Sequence, residues 1–280
     1  MPGCNHRPRV RVAGVSRADP WRPSRLTAGA VALTDRIPVP RLPIGAGRVT
    51  MVGVNMWTRL TGRSSTMIQP GDALPGRDHP VYRTPADNEV LATPLLGPWP
   101  AGTKVLYLGM GCFWGAERKF WQLPGVVGTA VGYMGGFTAN PTYEEVCSGQ
   151  TGHSEIVMVA YDPERIDTYS ILRTFWENHD PTQGYRQGND VGTQYRSAVY
   201  TTDAEQERVV AATRDAYEQV LLADGLDPIT TEIGPAQDRV FFPAEDYHQQ
   251  YLAKNPHGYD CASSTGIRLP SVAATVADVQ

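Results

Sequence analysis

The stretch that most constrains the fold is residues 104–121, KVLYLGMGCFWGAERKFW. A short apolar run at 105–108 predicts a buried strand, and the Gly-Met-Gly sequence after it predicts a sharp turn. Cys112 follows the turn, and a helix is predicted from Phe113. The first N–H groups of a helix have no partner within the helix, and the helix dipole is positive at that end. Both effects stabilise a thiolate, so this placement favours a reactive cysteine.

The neighbours of Cys112 favour access to its sulfur. Gly111 and Gly115 leave space on both sides, and Phe113 and Trp114 add large apolar side chains beside it. One interpretation is a reactive thiol next to an apolar pocket. The other is a small buried cysteine at a strand–helix junction, since most cysteines that form no disulfide are buried and inert. Both interpretations stay open on these residues alone.

The composition is that of a globular protein. Apolar residues make up 41% of the 280 residues and the formal net charge is −4, which implies neither nucleic acid nor an anionic membrane as a partner. No run approaches the roughly 18–20 apolar residues of a membrane span. Cys4, Cys112, Cys147 and Cys261 are widely spaced and form no CxxC pair, so neither a disulfide scaffold nor a metal site is expected. We expect a cytoplasmic protein with one or two working thiols.

Residues 1–50 differ in composition from the rest of the chain. They contain nine arginines, no lysine and only two acidic residues, and no helical or strand periodicity persists. Three interpretations compete: a basic disordered tail, an organelle transit peptide, and a start codon assigned too early, with Met51, Met56 or Met67 as the first residue. A transit peptide would contain an amphipathic helix, which this segment does not show. We therefore expect residues 1–68 to be an N-terminal extension that is either disordered or wrongly assigned.

The remaining chain reads as one α+β domain with irregular arms. Residues 51–103 are polar and rich in proline and glycine, and 69–83 within them predict an extended arm that wraps a core. Hydrophobic periodicity and cap residues predict the following elements. Strands are expected at 126–133, 154–161, 194–200, 229–233 and 240–242, and helices at 167–179, 203–224 and 244–253. The tail from residue 257 is rich in small residues and is expected to be mobile.

Glu155 lies at the start of the strand SEIVMVAY. Because strand side chains alternate between faces, it shares a face with Val157, Val159 and Tyr161. Burial on an apolar face raises the pKa of a carboxyl group and keeps it protonated, so that it can donate a proton at neutral pH. The alternative is a glutamate at a strand end that reaches solvent.

Two polar loops flank the predicted strands. The first, at 140–153, contains Tyr143, and the second, at 186–196, contains Asp190 and Tyr195 as candidate working groups. Both loops are equally compatible with ordinary surface turns. Cys147 has polar neighbours and no base at a readable spacing, so a structural role is expected.

The remaining candidates carry less information. His153, His179 and His248 have no partners at the spacing of metal ligands, so structural roles are expected for all three. Cys261 lies in the small-residue tail, where it is either a thiol that reaches Cys112 or an unpaired surface cysteine.

Several motifs together resemble the peptide-methionine (S)-S-oxide reductases, the MsrA family. The similar segments occur in the family's order: GCFWG at 111–115, GYMGG at 132–136, NPTYEEVCSGQTGHSE at 140–155, WENHDPTQGYRQGNDVGTQYRS at 176–197 and EDYHQQYLAKNP at 245–256. The resemblance runs from about residue 69 to residue 268. It implies a two-layer α+β sandwich with a mixed sheet, flanking helices and long coil arms. It also implies domain limits of 69–268, with 269–280 as a disordered tail.

The resemblance also implies roles for individual residues. Cys112 corresponds to the nucleophile and Glu155 to the acid that protonates the sulfoxide oxygen. Tyr143 and Tyr195 resemble the phenols that hold this oxygen, and Asp190 the carboxylate that helps to order the site. Phe113 and Trp114 resemble the pocket for the substrate's methyl group.

The implied chemistry is thiol-dependent reduction of methionine S-sulfoxide, in oxidised proteins and as the free amino acid. Cys112 becomes a sulfenic acid, Cys261 resolves it as a disulfide, and thioredoxin reduces the disulfide. No cofactor or metal is implied, and a monomer is expected. One departure is that many members have two cysteines in a glycine-rich tail, whereas this chain has only Cys261, which resembles a shorter relay.

Two other functions fit the residues themselves. A cysteine hydrolase or acyltransferase would use Cys112 with a histidine as base. A binding module would recognise oxidised methionine through the aromatic and phenolic side chains without turnover.

Overall fold

The computed structural model of the protein describes residues 66–260 and 263–272. The strands of this part of the chain are β1 (Asp87–Asn88), β2 (Thr93–Pro94), β3 (Lys104–Met110), β4 (Val126–Met134), β5 (Ser154–Tyr161), β6 (Arg186–Gln187), β7 (Asp190–Val191), β8 (Ser197–Thr201), β9 (Glu232–Pro235) and β10 (Phe242–Pro243). The α-helices are α1 (Phe113–Trp121), α2 (Tyr143–Cys147), α3 (Thr168–Glu177), α4 (Ala204–Ala223) and α5 (Tyr251–Lys254). Short 3₁₀ turns lie at Pro70–Asp72, Thr193–Tyr195 and Asp246–His248.

Six strands form the central sheet in the order β10-β4-β5-β3-β8-β9. Every neighbouring pair is antiparallel except β8 and β9, which run parallel. The predicted mixed sheet is therefore confirmed. The outer strands β10 and β9 are short, and each ends in a proline. Two small hairpins, β1–β2 and β6–β7, stand apart from this sheet.

The two faces of the sheet are covered differently. Leu106, Val157 and Val159 lie on the face that packs against α1, α3 and α4 and form the main core with them. Met158, the residue between the two valines, points to the other face and packs with Leu95 of the N-terminal arm. This alternation follows the period of two in a strand. The result is the predicted two-layer α+β sandwich, with helices on one face and coil on the other.

The predicted strand–turn–helix at 104–121 is confirmed by β3 and α1. The single helix predicted at 244–253 is wrong, because a 3₁₀ turn and the short helix α5 replace it. Between them Gln250 adopts a left-handed conformation with φ of +47°. The buried Glu117 carboxylate accepts hydrogen bonds from the Gln250 backbone and side chain, and this tertiary contact overrides the local helical preference.

Three predicted strands have different limits in the structure. The segment 194–200 divides into a 3₁₀ turn and β8, while β9 lies two to three residues later than the expected 229–233. Instead of 240–242, the last strand is β10. Pairing explains the shift of β9, because its register follows from β8, whose Val199 pairs with Ile233. A local pattern does not contain that information.

The C-terminal segment 263–272 packs against the helices, although its composition predicts mobility. Leu269 is buried in the main core, and its backbone N–H donates to the Glu177 carboxylate at 3.0 Å. The Tyr217 hydroxyl donates to the carbonyl of Ile267 at 3.0 Å. The predicted division at residue 268 therefore falls inside a packed segment.

The N-terminal arm crosses the sheet as expected. Its Tyr82 hydroxyl donates to the carbonyls of Pro141 and Pro243, both at 3.0 Å. Across residues 66–260 and 263–272, no helix has the length and apolarity needed to cross a bilayer. Residues 1–65, which include most of the expected extension, lie outside the described residues.

Candidate active site

A cavity of about 190 Å³ opens where α1 begins. Its lining residues are Cys112, Phe113, Trp114, Tyr143, Glu155, Asp190, Tyr195 and Tyr259. Seven of these were predicted as site residues from the sequence, and the structure brings all seven together. The eighth, Tyr259, was not predicted. Cys261 lies outside the described residues.

Cys112 occupies the N-cap position of α1 at the end of β3. Gly111 before it has φ of +83°, and a Cβ at this position would lie 2.6 Å from the side chain of Gln187. Glycine is therefore needed both for the turn and for the close approach of the β6–β7 hairpin. Cys112 is 7% exposed, and its side chain makes no capping hydrogen bond to the first turn of α1. As the N-cap residue, Cys112 lies at the positive end of the helix dipole.

The first N–H group of α1 forms a hydrogen bond with Glu155. The backbone N–H of Phe113 donates to Glu155 Oε2 at 2.9 Å, and the glutamate is 2% exposed. Burial raises the pKa of Glu155 to about 8, the Phe113 hydrogen bond lowers it, and the charge of Asp190 raises it further. A carboxyl group with this pKa is mostly protonated at pH 7. It can therefore act as a proton donor within the cavity.

Tyr143 is fixed by its backbone at the start of α2. Its N–H donates to Glu245 at 2.9 Å, and Thr142 before it forms a capping box with Glu145. The Cys147 thiol lies beside the Tyr143 side chain. Burial, followed by the Glu155 charge, raises the pKa of Tyr143 far above its ordinary value. The phenol therefore remains a neutral hydrogen-bond donor.

Tyr195 ends a 3₁₀ turn that a buried arginine holds in place. Arg196, 3% exposed, donates to the carbonyls of Thr193 at 3.0 Å and Gly135 at 3.3 Å, and it pairs with Glu232 at 2.8 Å. Burial, followed by the charge of Glu155, raises the pKa of Tyr195 far above its ordinary value. A second neutral phenol therefore faces the cavity from the opposite loop.

Asp190 and Tyr259 form another part of the wall. The Tyr259 hydroxyl donates to both carboxylate oxygens of Asp190 at 3.3 Å. Tyr259 lies in coil, where no periodicity marks a side chain as functional. The only available signal was its position two residues before Cys261.

The apolar part of the wall is supported from behind by His248. Trp114 Nε1 donates to His248 Nδ1 at 2.9 Å, and the Trp114 ring stacks on Tyr251 with a centroid distance of 3.9 Å. Phe113 also contacts the imidazole, at 5.1 Å between centroids. Burial lowers the pKa of His248 to about 4, so the ring is a neutral acceptor at pH 7. This contact agrees with the structural role expected for His248.

The other candidates lie in structural surroundings. His179 contacts the Phe175 carbonyl and the Ser197 hydroxyl, both at 2.7 Å, and His153 contacts the Thr138 carbonyl at 2.7 Å. None of the eight residues that line the cavity is a histidine, the residue that the hydrolase interpretation uses as base.

Cys147 differs from Cys112 in its surroundings. Burial, followed by the charge of Glu155, raises the pKa of Cys147 to about 11, which keeps it a thiol at neutral pH. Within the part of the chain that the structure covers, no cluster of three or more histidine, cysteine or acidic side chains could hold a metal ion.

Comparison with known proteins gives a consistent picture. The sequence model of one family, described as peptide methionine sulfoxide reductase, matches residues 104–277. The chain is 60% identical to the peptide methionine sulfoxide reductase MsrA of Salinispora arenicola over 207 residues, which cover 73% of this chain and 92% of the relative. It is 53% identical to MsrA 1 of Synechocystis sp. over 211 residues, covering 75% and 94%.

A solved structure is similar as well. Methionine sulfoxide reductase A of Corynebacterium diphtheriae superposes with a TM-score of 0.65 at 48% identity. The match covers 74% of this chain and 100% of that one.

Proposed function

The chain belongs to the peptide methionine sulfoxide reductase family, and from this premise we propose that Cys112 attacks the sulfur of methionine sulfoxide. The family makes the chain an oxidoreductase, so a module that binds without turnover no longer fits. The observation that carries the proposal is the cavity itself. Its lining includes one thiol, a carboxyl group whose pKa is raised to about 8 and three phenols, those of Tyr143, Tyr195 and Tyr259, around a space of about 190 Å³.

In the first step the Cys112 thiolate attacks the electrophilic sulfur of the sulfoxide. Glu155 gives its proton to the sulfoxide oxygen, and Tyr143 and Tyr195 stabilise the charge that grows there. The S–O bond of the substrate breaks, and the oxygen passes to the Cys112 sulfur as a hydroxyl group that carries the proton from Glu155. The transient bond between the two sulfur atoms breaks, and its electron pair stays on the methionine sulfur. Methionine leaves as a thioether, reduced by two electrons, and Cys112 becomes a sulfenic acid, oxidised by two electrons.

Phe113 and Trp114 receive the methyl group of the substrate in this proposal. Their rings form the apolar part of the wall next to the sulfur. Asp190 and Tyr259 lie at the polar part, where they order the site. The substrate is the S epimer of the sulfoxide, in proteins and as the free amino acid.

Cys261 supplies the second thiol. It attacks the Cys112 sulfenic acid, a disulfide forms, and water leaves. Thioredoxin then reduces the disulfide by thiol exchange, so the reaction requires no bound cofactor or metal. We propose the cytoplasm as the compartment, because this chemistry depends on a reducing thiol pool.

We also propose a monomer whose catalytic domain begins near residue 69, with residues 1–68 not required for the chemistry. Mass spectrometry of the N-terminus of the protein purified from its own cells tests this division. A mature N-terminus close to residue 69 supports it. Loss of sulfoxide reduction on removal of 1–68 would contradict it.

Turnover with dithiothreitol tests the central proposal. The protein should convert the S epimer of methionine sulfoxide to methionine and leave the R epimer, and Cys112→Ser should abolish the conversion. Cys261→Ser should form methionine in the first turnover and then fail to cycle with thioredoxin. Unchanged cycling of Cys261→Ser would remove its resolving role. Activity of Cys112→Ser would overturn the proposal.

A further inference from the structure

Glu117 is a fully buried carboxylate that the reaction above does not use. It lies on α1, one helical turn after Phe113. Its carboxylate accepts three hydrogen bonds: from the Thr129 hydroxyl at 2.9 Å, from the Gln250 backbone N–H at 2.9 Å and from the Gln250 side-chain amide at 2.7 Å. All three partners are donors, so an ionised carboxylate satisfies each of them.

The two bonds to Gln250 hold a strained residue. Gln250 has φ of +47°, which lies in the left-handed region, where a residue with a side chain is strained. Its side-chain oxygen also accepts from the Glu89 backbone N–H at 3.3 Å. These contacts fix the reversal between the 3₁₀ turn Asp246–His248 and the helix α5. They therefore set the positions of His248 before the reversal and Tyr251 after it.

His248 and Tyr251 hold Trp114 from two sides. One binds the indole N–H at 2.9 Å, and the other stacks on the indole ring at 3.9 Å and an interplanar angle of 17°. Trp114 and Glu117 lie on the same helix. Glu117 binds Gln250, and the residues on either side of Gln250, His248 and Tyr251, bind Trp114. Glu117 and Trp114 are therefore connected through this segment as well as through α1.

We propose that Glu117 is a positioning residue, which places the Trp114 wall of the methyl pocket by holding Gln250 in its left-handed conformation. The inference rests on the proposed function, specifically on the role of Trp114 in receiving the methyl group. Glu117 touches neither the substrate nor Cys112 in this role. Its loss changes how well the pocket fits the methyl group and leaves the chemical step intact.

Glu117→Gln tests the carboxylate. An amide retains one accepting oxygen. Because a Gln250 donor faces each carboxylate oxygen, the NH₂ group meets one of them in either orientation, and at least one contact to Gln250 is lost. In single-turnover reactions without a reductant, we expect the methionine sulfoxide concentration at half-maximal rate to rise about tenfold. The maximal rate should stay within about twofold. The preference for methionine sulfoxide over the larger ethionine sulfoxide should fall about fivefold.

Thr129→Val is the matched control. It removes the third bond to the same carboxylate and leaves Gln250 untouched. It also removes the Asn88 side-chain bond to the Thr129 hydroxyl at 3.0 Å, but Asn88 retains its bond to the Thr129 carbonyl at 2.9 Å. Its half-saturating concentration and its methyl preference should equal those of the wild type. Equal behaviour of Glu117→Gln and Thr129→Val would overturn the inference.

A second pair tests the left-handed conformation without altering Glu117, and therefore still applies if Glu117→Gln does not fold. Gln250→Ala and Gln250→Gly both lose the side chain, but only glycine adopts φ of +47° without strain. The alanine variant should show the raised half-saturating concentration, and the glycine variant should stay near the wild type. Adding Gln250→Gly to Glu117→Gln should restore the concentration to within about threefold of the wild type.

Equal values for the two variants at position 250 would overturn the inference, as would a double variant no better than Glu117→Gln. A wild-type protein that forms no methionine at all would overturn the proposed function, and the inference with it. The two failures are therefore distinguishable.

Discussion

Glu155 and Glu117 are both shielded from water, with exposures of 2% and 0%, but their hydrogen-bonding surroundings differ. Glu155 accepts from the Phe113 N–H and faces the cavity. Glu117 accepts from three donors in the interior. Burial raises the pKa of Glu155 to about 8, whereas the donors around Glu117 lower its pKa again and leave it at about 7.

The two glutamates differ in their partners: Glu155 meets one donor and faces the cavity, whereas Glu117 meets three donors in the interior. A buried carboxyl group with few donors retains its proton and can give it to a substrate. A buried carboxylate that meets several donors accepts their hydrogen bonds and holds the donating segments in place. The four predictions below test this distinction, from the largest expected effect to the smallest.

Glu155→Gln should lower the single-turnover rate of methionine formation at pH 7 by about 10²- to 10⁴-fold, which is the usual contribution of a general acid. The amide oxygen still accepts from the Phe113 N–H, so the local structure is retained. Glu117→Gln, measured alongside, should keep its maximal rate within about twofold. Similar losses of maximal rate in both variants would contradict the distinction between a proton-donating Glu155 and a positioning Glu117.

The two phenols should share the remaining stabilisation of the sulfoxide oxygen. Tyr143→Phe combined with Tyr195→Phe should lower the single-turnover rate by about 10²-fold, since a single donor to a developing oxyanion contributes on this order. Rapid quenching with quantification of methionine measures the effect. If the double variant kept the wild-type rate, Glu155 would be the sole proton donor.

The pH profile should show the titration of Glu155. Its raised pKa of about 8 means that the protonated, donating form is present below pH 8 and is lost above it. The single-turnover rate at low substrate should therefore fall about tenfold per pH unit above 8 in the wild type. Glu155→Gln should lack this limb. If the variant lost rate above pH 8 by the same factor, the loss would come from a group other than Glu155.

Thr129→Val should have the smallest effect. It removes one of the three donors to Glu117, so the free energy of unfolding should fall by about 1 kcal/mol, with the reaction rate unchanged. Urea denaturation followed by circular dichroism measures the change. A loss of activity larger than about twofold would mean that Thr129 also reaches the site.

The sequence predicted those parts of the molecule whose structure depends on residues that are neighbours in the chain. The junction of β3 and α1 was predictable because the apolar run, the glycine turn and the helix follow directly along the chain. The face of Glu155 was predictable because a strand alternates regularly. Glu117 could have been found by similar reasoning, since it is a carboxylate on the helix face that includes Phe113 and Phe120.

The features that the sequence did not predict depend on contacts between segments that are distant in the chain. The interruption at Gln250 depends on Glu117, 133 residues away in the chain. Tyr259 enters the cavity from coil, where neither alternation nor helical spacing applies. Leu269 lies in coil two residues after Ile267, where no helical or strand spacing extends over several turns or pairs, so only the packed structure shows that it is buried.

The prolines that end β9 and β10 have a consequence for behaviour in crowded solution. Proline has no backbone N–H, and these outer strands have only four and two residues. A second polypeptide that approaches either side of the sheet therefore finds few groups with which to extend it. The two edges of this sheet therefore disfavour aggregation of the protein by strand addition.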